Sequence, residues 1–271
     1  MKVAAIQMVS TGAVQDNLQA AARLLRQAAD QGAELAVLPE YFCLIGQHDA
    51  DKLAIQEPFG SGPIQQFLAQ TARSLGLWLV GGTLPLTGAG DNKVFNSSLA
   101  FNPQGECVAR YDKIHLFRFD NGREAYDESR VLDRGHTPTR FALPARDGHT
   151  WQIGMSVCYD LRFAELYRGY AREGVDLLLV PAAFTHTTGR AHWEVLLRAR
   201  AIENLAYVGA AAQGGVHPNG RQTWGQSLWI NPWGQLLAQQ AQGEGVVLAE
   251  LDAAALQQWR SQLPALQHRV L

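Results

Sequence analysis

Three residues, Glu40, Lys113 and Cys158, are of the types needed for covalent hydrolysis of an amide. Such a reaction requires a deprotonated thiol, a proton for the leaving amine, and positive charge where the oxyanion develops. A cysteine, a glutamate and a lysine together supply all three functions without a histidine. Taken singly, each has an ordinary structural explanation, because free cysteines are usually buried and most lysines are solvated. Their positions in the predicted elements therefore carry the argument.

Cys158 lies at a predicted strand-to-helix turn. Residues 151–157 are predicted to form a strand, and a helix is predicted to begin near Leu161. Such a turn presents a side chain at the edge of a sheet, where helical N–H groups lower a thiol pKa and hold an oxyanion. Cys43 and Cys107 are interpreted as structural, since Cys107 lies within a predicted hairpin strand. Cys158 is therefore the candidate nucleophile.

The predicted helices and strands recur in the same order in two halves, about 1–113 and 150–250. Continuously apolar runs predict strands covered on both faces, and apolar residues at helical spacing predict helices. One helix is predicted to begin at Ser61 as N-cap, with Pro63 in its first turn. The first half has strands at 2–9, 34–38, 77–83, 94–101 and 106–111 and helices at 16–31 and 61–76; the second has strands at 153–157, 176–180, 206–212, 227–230 and 235–238 and helices at 162–172 and 191–204.

Two pairs of segments show the repetition directly. Residues 34–42 align with residues 176–184, and the turn Asn-Pro-Gln-Gly at 102–105 aligns with Asn-Pro-Trp-Gly at 231–234. Two halves that are each a sheet covered by helices pack best sheet against sheet, which predicts an α/β fold, a duplicated α-β-β-α sandwich. The alternative is a doubly wound, Rossmann-like sheet. It is weakened because no G-x-G-x-x-G motif opens a helix after a strand in this sequence.

Glu40 marks a difference between the halves, because Ala182 occupies the equivalent position in the second one. A carboxylate at the end of a buried strand is costly to desolvate unless it is paired or functional. In open α/β sheets, ligands bind at the carboxyl ends of the strands. Glu40 is therefore a candidate for chemistry.

The composition narrows the class of protein. The 271 residues carry a formal charge of −2, which gives no basic field for nucleic acid, and no apolar run approaches the roughly 20 residues of a membrane span. Three cysteines without a C-x-x-C pair argue against a disulfide framework and a zinc knuckle. We therefore expect a cytoplasmic protein without metal or cofactor. Only 18% of the residues are charged, against about 25% usually, which favours a homo-oligomer.

Three motifs carry a resemblance to a known family. They are Leu38-Pro39-Glu40, Tyr111-x-Lys113-x-His115-Leu116-Phe117 and Cys158-Tyr159-Asp160-Leu161-Arg162-Phe163. In order and spacing they resemble the catalytic motifs of the nitrilase superfamily, and the resemblance runs from residue 2 to about residue 270. It implies a single carbon-nitrogen hydrolase domain over residues 1–271 with the duplicated α-β-β-α sandwich. It also implies assembly into a homodimer or a larger homo-oligomer.

The resemblance implies roles for individual residues. Glu40 would be the general base, Cys158 the nucleophile, and Lys113 the cation that stabilises the oxyanion and handles protons. The backbone N–H of Tyr159 would be the second oxyanion donor, and a further glutamate would orient the lysine. Glu128 matches that glutamate best. The preceding loop is about one residue shorter than in close relatives, which leaves Glu124 as the alternative.

The second half resembles one branch of the superfamily, the deaminated glutathione amidases. The resemblance lies in residues 184–203, 210–221 and 263–269. It implies a small-molecule amide substrate with two carboxylates, hydrolysed to 2-oxoglutarate and cysteinylglycine. Ala164, where relatives commonly have proline, also suits the neighbouring ω-amidase branch, which deamidates 2-oxoglutaramate and is the main alternative; Arg190 and Gln226 depart from the pattern as well. The residues expected to bind substrate are Arg162, Phe184, Thr185, Arg190, His217 and Arg221.

Interpretations from other classes explain fewer residues. A papain-like cysteine–histidine pair has eight histidines to draw on, but it leaves Glu40 and Lys113 unexplained. A metal site at His186, His192 and His217 lacks a typical ligand spacing. A non-catalytic binding module of the same fold would be expected to have lost a catalytic residue, whereas this chain retains all of them. The sequence therefore favours a cysteine-dependent amidase.

Overall fold

The chain forms two large β-sheets, a two-stranded hairpin and six α-helices within residues 1–90 and 92–270, which are the residues that the computed structural model describes. The strands are β1 (Lys2–Gln7), β2 (Leu35–Val37), β3 (Trp78–Val80), β4 (Leu84–Thr87), β5 (Val94–Phe101), β6 (Cys107–Asp112), β7 (Arg118–Asp120), β8 (Ala125–Asp127), β9 (Leu132–Asp133), β10 (Thr139–Pro144), β11 (Thr150–Met155), β12 (Leu177–Leu179), β13 (Tyr207–Ala210), β14 (Ser227–Ile230), β15 (Leu236–Gln240) and β16 (Gly245–Glu250). The α-helices are α1 (Val14–Asp30), α2 (Asp51–Ala54), α3 (Pro63–Leu75), α4 (Ala164–Arg172), α5 (His186–Asn204) and α6 (Ala253–Gln262), and 3₁₀ helices occupy Glu128–Arg130 and Cys158–Arg162.

Each large sheet is built around three parallel strands joined by crossover helices. The first sheet has the order β16-β1-β2-β3-β5-β4, with β6 and β9 also paired to β5, and β1, β2 and β3 run parallel. The second has the order β10-β11-β12-β13-β14-β15, with β11, β12 and β13 parallel. Helices α1 and α3 connect the parallel strands of the first sheet, and α4 and α5 those of the second. The predicted repetition is thus present as two sheets of matching topology.

Alternation along the parallel strands separates the layers. In β1, Val3 and Ala5 belong to the core shared with the second sheet, while Ala4 and Ile6 belong to the core formed with α1 and α3. This arrangement follows from the period of two in a strand, which turns successive side chains to opposite faces. Both faces of the sheet are buried, which explains the continuously apolar sequences. The structure confirms the duplicated α-β-β-α sandwich.

Helix α3 starts differently from the prediction. Its N-cap is Gly62 rather than Ser61, and the N–H groups of its first turn donate to the carboxylate of Glu57, which lies shortly before the helix. The distances are 2.6 Å from Ile64 and 3.1 Å from Gln65. A buried glutamate thus replaces the N-cap side chain, and this contact cannot be inferred from local sequence.

The two sheets do not correspond to the predicted halves, 1–113 and 150–250. Strand β10 enters the second sheet before residue 150, and β16 leaves the second half to pair antiparallel with β1 in the first sheet. The amide of Leu251 then donates to the carbonyl of Met1 at 2.9 Å. No helix in the described part of the chain is both long and apolar enough to cross a membrane.

Candidate active site

Cys158 lies directly after β11, where the chain leaves the centre of the second sheet. Its backbone has φ of 48°, in the left-handed region that residues other than glycine rarely adopt. Its N–H donates to the Pro181 carbonyl at 2.9 Å, which ties the turn to the segment following β12. Strain of this kind persists only where surrounding contacts impose it. The turn holds the thiol at the carboxyl edge of the sheet, and only 8% of the residue is exposed.

Glu40 follows β2 at the corresponding edge of the first sheet and is 1% exposed. Its Oε1 accepts hydrogen bonds from Asn96 Nδ2 and Lys113 Nζ, both at 2.9 Å. Its Oε2 accepts from the backbone N–H of Ala183, also at 2.9 Å. Ala183 belongs to the second sheet's side of the molecule, so this carboxylate lies between the two halves. Its solvation has been replaced by fixed donors, as a buried carboxylate requires.

Lys113 follows β6 and is fully buried, with 0% exposure. Its backbone is fixed on both sides, because its N–H donates to the Asn96 carbonyl at 3.0 Å and its carbonyl accepts from Gly135 at 2.9 Å. The ammonium donates to Glu40 at 2.9 Å and to both oxygens of Glu128, at 2.9 and 2.8 Å. One cation thus stands between two carboxylates.

Glu128 begins the short 3₁₀ helix that follows β8. Besides the contacts with Lys113, its carboxylate accepts from the hydroxyl of Tyr41 at 2.8 Å and from the N–H of Phe117 at 2.7 Å. Glu124 lies instead near the tip of the β7–β8 hairpin, where it accepts a hydrogen bond from Thr187 at 2.9 Å. Of the two glutamates considered from the sequence, the structure therefore brings Glu128 to the lysine.

Charges in the cluster shift the protonation equilibria in opposite directions. Burial disfavours the charged form of Lys113, but the carboxylates of Glu128 and Glu40 outweigh it and hold the lysine pKa well above its ordinary value. Burial would likewise raise the pKa of Glu128, but the ammonium of Lys113 lowers it. For Cys158, burial and the charge of Glu40 raise the thiol pKa well above its ordinary value, against the opposing effect of Lys113. The thiol of Cys158 is therefore neutral at rest, and it lies beside the ammonium of Lys113 and the side chain of Glu40.

Asp160 connects the segment that carries the lysine to the turn that carries the cysteine. Its Oδ2 accepts from the Tyr111 hydroxyl at 2.7 Å and from the Val157 N–H at 2.9 Å. Its Oδ1 lies 3.0 Å from the N–H and 2.7 Å from Nδ1 of His115, whose ring stacks on Phe163 with centroids 3.7 Å apart. Neither Asp160 nor His115 was assigned a role from the sequence. The signal that could have identified Asp160 is an acidic residue two positions after a cysteine at a strand-to-helix turn.

We expect Asp160→Asn to destabilise the fold and to lower turnover. The new amide would turn an NH₂ group toward N–H or O–H donors that now share a fully buried carboxylate, leaving donors unsatisfied. An unsatisfied buried group costs about 1–3 kcal/mol. Denaturant unfolding checks the loss, with Asp30→Asn as the matched control because Asp30 is exposed at the end of α1. Equal stability of the two variants would contradict the stabilising role of the Asp160 hydrogen bonds.

A pocket of about 280 Å³ opens over Cys158. Four of the residues expected to bind substrate line it, namely Arg162, Phe184, Thr185 and Arg221, together with Glu40, Phe117, Glu128, Tyr159, Ala183 and Thr188. Phe184 and Thr185 reach it because they lie between β12 and the start of α5. The pocket thus combines apolar walls with two guanidinium groups.

Two of the expected binding residues lie elsewhere. Arg190 is exposed on α5 and borders a separate surface depression along that helix. His217 is 2% exposed, and its ring nitrogens are engaged at 2.8 Å with the Ser10 carbonyl and the Thr223 hydroxyl. Burial also lowers the His217 pKa, which favours the neutral ring. Neither residue lines the pocket over Cys158. Within residues 1–90 and 92–270, no three His, Cys, Asp or Glu side chains group as metal ligands.

The sequence is similar to curated amidases over nearly its full length. It is 40% identical to the deaminated glutathione amidase of Synechocystis over 270 residues, covering 98% of this chain and 97% of the relative. It is 35% identical to the human omega-amidase over 269 residues, covering 99% of this chain and 94% of the relative. Both relatives therefore align with the whole of the two-sheet structure.

Solved structures show the same architecture. A nitrilase-superfamily protein of Saccharomyces cerevisiae superposes with a TM-score of 0.87 at 29% identity, covering 100% of this chain and 97% of the other. An amidase of Nesterenkonia superposes with a TM-score of 0.77 at 27% identity, covering 97% and 98%, and its active-site cysteine carries an acrylamide adduct. The family model for carbon-nitrogen hydrolases matches residues 2–261. The chain belongs to the carbon-nitrogen hydrolase family, within the nitrilase superfamily.

Proposed function

We propose that this amidase hydrolyses deaminated glutathione to 2-oxoglutarate and cysteinylglycine, with Cys158 as nucleophile. The observation that carries the chemistry is the buried ion cluster in which Lys113 bridges Glu40 and Glu128 in the wall of the pocket that also contains Cys158. The substrate assignment is supported by two arginines in the pocket and by the relatives that bear the name deaminated glutathione amidase.

The acylation half-reaction begins with the neutral thiol. Because the Cys158 pKa is raised, the thiol needs a base in contact with it, and Glu40 accepts its proton as sulfur attacks the amide carbonyl. Lys113 and the Tyr159 N–H stabilise the oxyanion; Tyr159 is in the first turn of a 3₁₀ helix, where N–H groups lack intrahelical partners. The C–N bond then breaks, and Glu40 returns the proton to the departing amine.

The deacylation half-reaction uses the same groups. A water molecule replaces the amine, Glu40 removes a proton from it, and the resulting hydroxide attacks the thioester carbonyl. Collapse of the second tetrahedral intermediate releases the carboxylic acid, and the thiolate recovers its proton from Glu40. Throughout, the high pKa of Lys113 keeps this side chain cationic, so its contribution is electrostatic.

The second candidate function is that of an ω-amidase acting on 2-oxoglutaramate. Two observations favour it: the pocket over Cys158 is narrow, which suits a small amide, and a relative named omega-amidase is 35% identical. Both substrates contain the same 2-oxo acid and differ in the amine released. A panel of short 2-oxo acid amides, with products identified by mass spectrometry, tests the proposal and separates the two.

We expect the wild type to prefer deaminated glutathione over 2-oxoglutaramate by roughly 10–100-fold in kcat/KM, because the dipeptide carboxylate adds a charge-assisted contact of about 1.5–3 kcal/mol. Arg221, in the pocket wall, is our first candidate for that contact. Arg221→Gln should collapse the ratio, whereas Arg190→Gln, outside the pocket, should keep it. A wild type that handles 2-oxoglutaramate better would favour the ω-amidase function and leave the catalytic assignment in place.

We also propose that the protein is a homodimer or a larger homo-oligomer in the cytoplasm. Exposed apolar side chains on α5 and the adjoining turn, namely Val195, Ile202 and Trp233, support the assembly. All three cysteines are free, which suits a reducing compartment.

A further inference from the structure

A second, wider depression adjoins the catalytic pocket, and we call it the Lys52 groove. Its volume is about 980 Å³, and Arg221 lines both it and the catalytic pocket. The other residues used below are Tyr41, Lys52 and Tyr126, with Asp49 at the rim. Because Arg221 is common to both, a ligand that extends past this arginine enters the groove.

The groove carries excess positive charge. The side chain of Lys52 is 12% exposed, its ammonium lies 4.6 Å from the centre of the Tyr41 ring, and Asp49 accepts one hydrogen bond from it at 2.9 Å. An ammonium has three donors, so two remain for a ligand. Asp49 is half-exposed, so solvent screens its negative charge. Among the residues that line the groove, Lys52 and Arg221 are set against one acidic residue, Asp49.

Arg221 also has donor capacity to spare. Its Nη2 donates to the Ala183 carbonyl at 3.0 Å, while its buried Nε has no hydrogen-bond partner in the described ranges, 1–90 and 92–270. Its guanidinium lies 5.6 Å from the centre of the Tyr126 ring, within the range of a cation–π contact. A buried donor without a partner is costly, and a bound carboxylate would satisfy it.

Tyr41 separates Lys52 from the catalytic residues by the thickness of one side chain. Its backbone has φ of 56°, and its N–H donates to the Thr83 hydroxyl at 2.9 Å, which fixes the backbone at this position. One face of that ring receives Lys52, while the hydroxyl donates to Glu128 at 2.8 Å. The groove therefore begins where the catalytic cluster ends.

Amide cleavage divides the substrate into an acyl part, held on Cys158, and an amine part that must leave. The pocket over Cys158 is narrow, so a large amine part has to extend beyond it. We infer that the Lys52 groove binds the amine half of the substrate and that Lys52, with Arg221, binds its carboxylate. This inference rests on the proposed function, and it identifies the substrate class as amides of anionic amino acids or dipeptides.

The test compares deaminated glutathione with its analogue in which the glycine carboxylate is a primary amide. The two share the acyl group and the thiol and differ in one charge. We expect the wild type to favour the free carboxylate about tenfold in kcat/KM, and Lys52→Gln to reduce the ratio below about threefold. Lys93→Gln is the matched control, because Lys93 pairs with Asp133 elsewhere on the surface and should keep the wild-type ratio.

Product inhibition of the wild type gives a second measurement that does not depend on a variant's folding. Cysteinylglycine should inhibit more strongly than cysteinylglycinamide. A wild type that does not distinguish the carboxylate from the amide, or a Lys52→Gln variant that retains the full ratio, would overturn the groove assignment alone. A wild type that cleaves 2-oxoglutaramate but neither longer amide would overturn the proposed substrate, and the groove assignment with it.

Discussion

Replacing Cys158 with alanine is expected to abolish amide hydrolysis, whereas Cys43→Ala and Cys107→Ala should keep most of the wild-type rate. Of the three cysteines, Cys158 is the one whose thiol lies beside both Glu40 and the ammonium of Lys113. Burial raises the pKa of Cys43 to about 12, and its sulfur lies 3.8 Å from the Thr83 carbonyl. Cys107 is exposed in β6. Without the Cys158 sulfur no thioester forms, so the loss should reach the detection limit, at least about 10⁴-fold in kcat.

Initial rates on the preferred amide check this expectation, and acid quenching followed by mass spectrometry locates the acyl group. The Cys107→Ala background removes the exposed thiol, which would otherwise react with electrophilic probes for reasons unrelated to catalysis. Thermal unfolding of all three variants controls for folding. Substantial turnover by Cys158→Ala would end the thioester mechanism, and an acyl adduct on Cys43 would move the active site.

Elements with strong local patterns were predicted almost to the residue. Strand β5 has the predicted bounds. The aligned segments 34–42 and 176–184 contain β2 and β12, which occupy equivalent positions in the two sheets. Local sequence did not predict the hairpin β7–β8, the crossing of β16 into the first sheet, or the cap that Glu57 supplies to α3. The pairing of β16 with β1 joins residues far apart in the chain, whereas the hairpin and the Glu57 cap are local contacts outside any periodic apolar pattern. The spacing of apolar residues shows which face of a helix or strand is buried. It does not show which other part of the chain covers that face.

The same distinction applies to the site. Glu40, Lys113 and Cys158 stood out because their residue types suit one reaction, and the structure places them together. Asn96 and Tyr41 were missed because an amide or a phenol in an apolar segment suggests no particular partner. His217 was assigned to substrate because a substrate with two carboxylates requires cationic groups, yet both its ring nitrogens are engaged within the fold. Residue type indicates possible chemistry. Only the tertiary contacts of a side chain show whether it is available to a substrate or is used to hold the fold together.

Substitution of Glu40 and of Lys113 provides the second large effect. We expect Glu40→Gln and Lys113→Met each to lower kcat/KM by at least about 10³-fold, since one removes the proposed base and the other the proposed cation at the oxyanion. The double variant should be little worse than either single one. Residues that act in one step are non-additive, because the step fails once either is lost. Steady-state kinetics on the preferred amide, with Glu34→Gln as a control outside the site, measures the three losses.

The free energy of unfolding should also respond non-additively to the two substitutions. Lys113→Met leaves the carboxylates of Glu40 and Glu128 buried without their shared cation, which should cost about 3–5 kcal/mol of unfolding free energy. Glu40→Gln leaves Lys113 paired with Glu128 and should cost less, because one of two carboxylates sharing a single ammonium is neutralised. In the double variant only Glu128 remains charged, so the loss should be smaller than the sum of the two. Denaturant unfolding of the four proteins completes the cycle. Additive, modest losses in both rate and stability would show that Glu40 and Lys113 are merely near the site rather than parts of one catalytic unit.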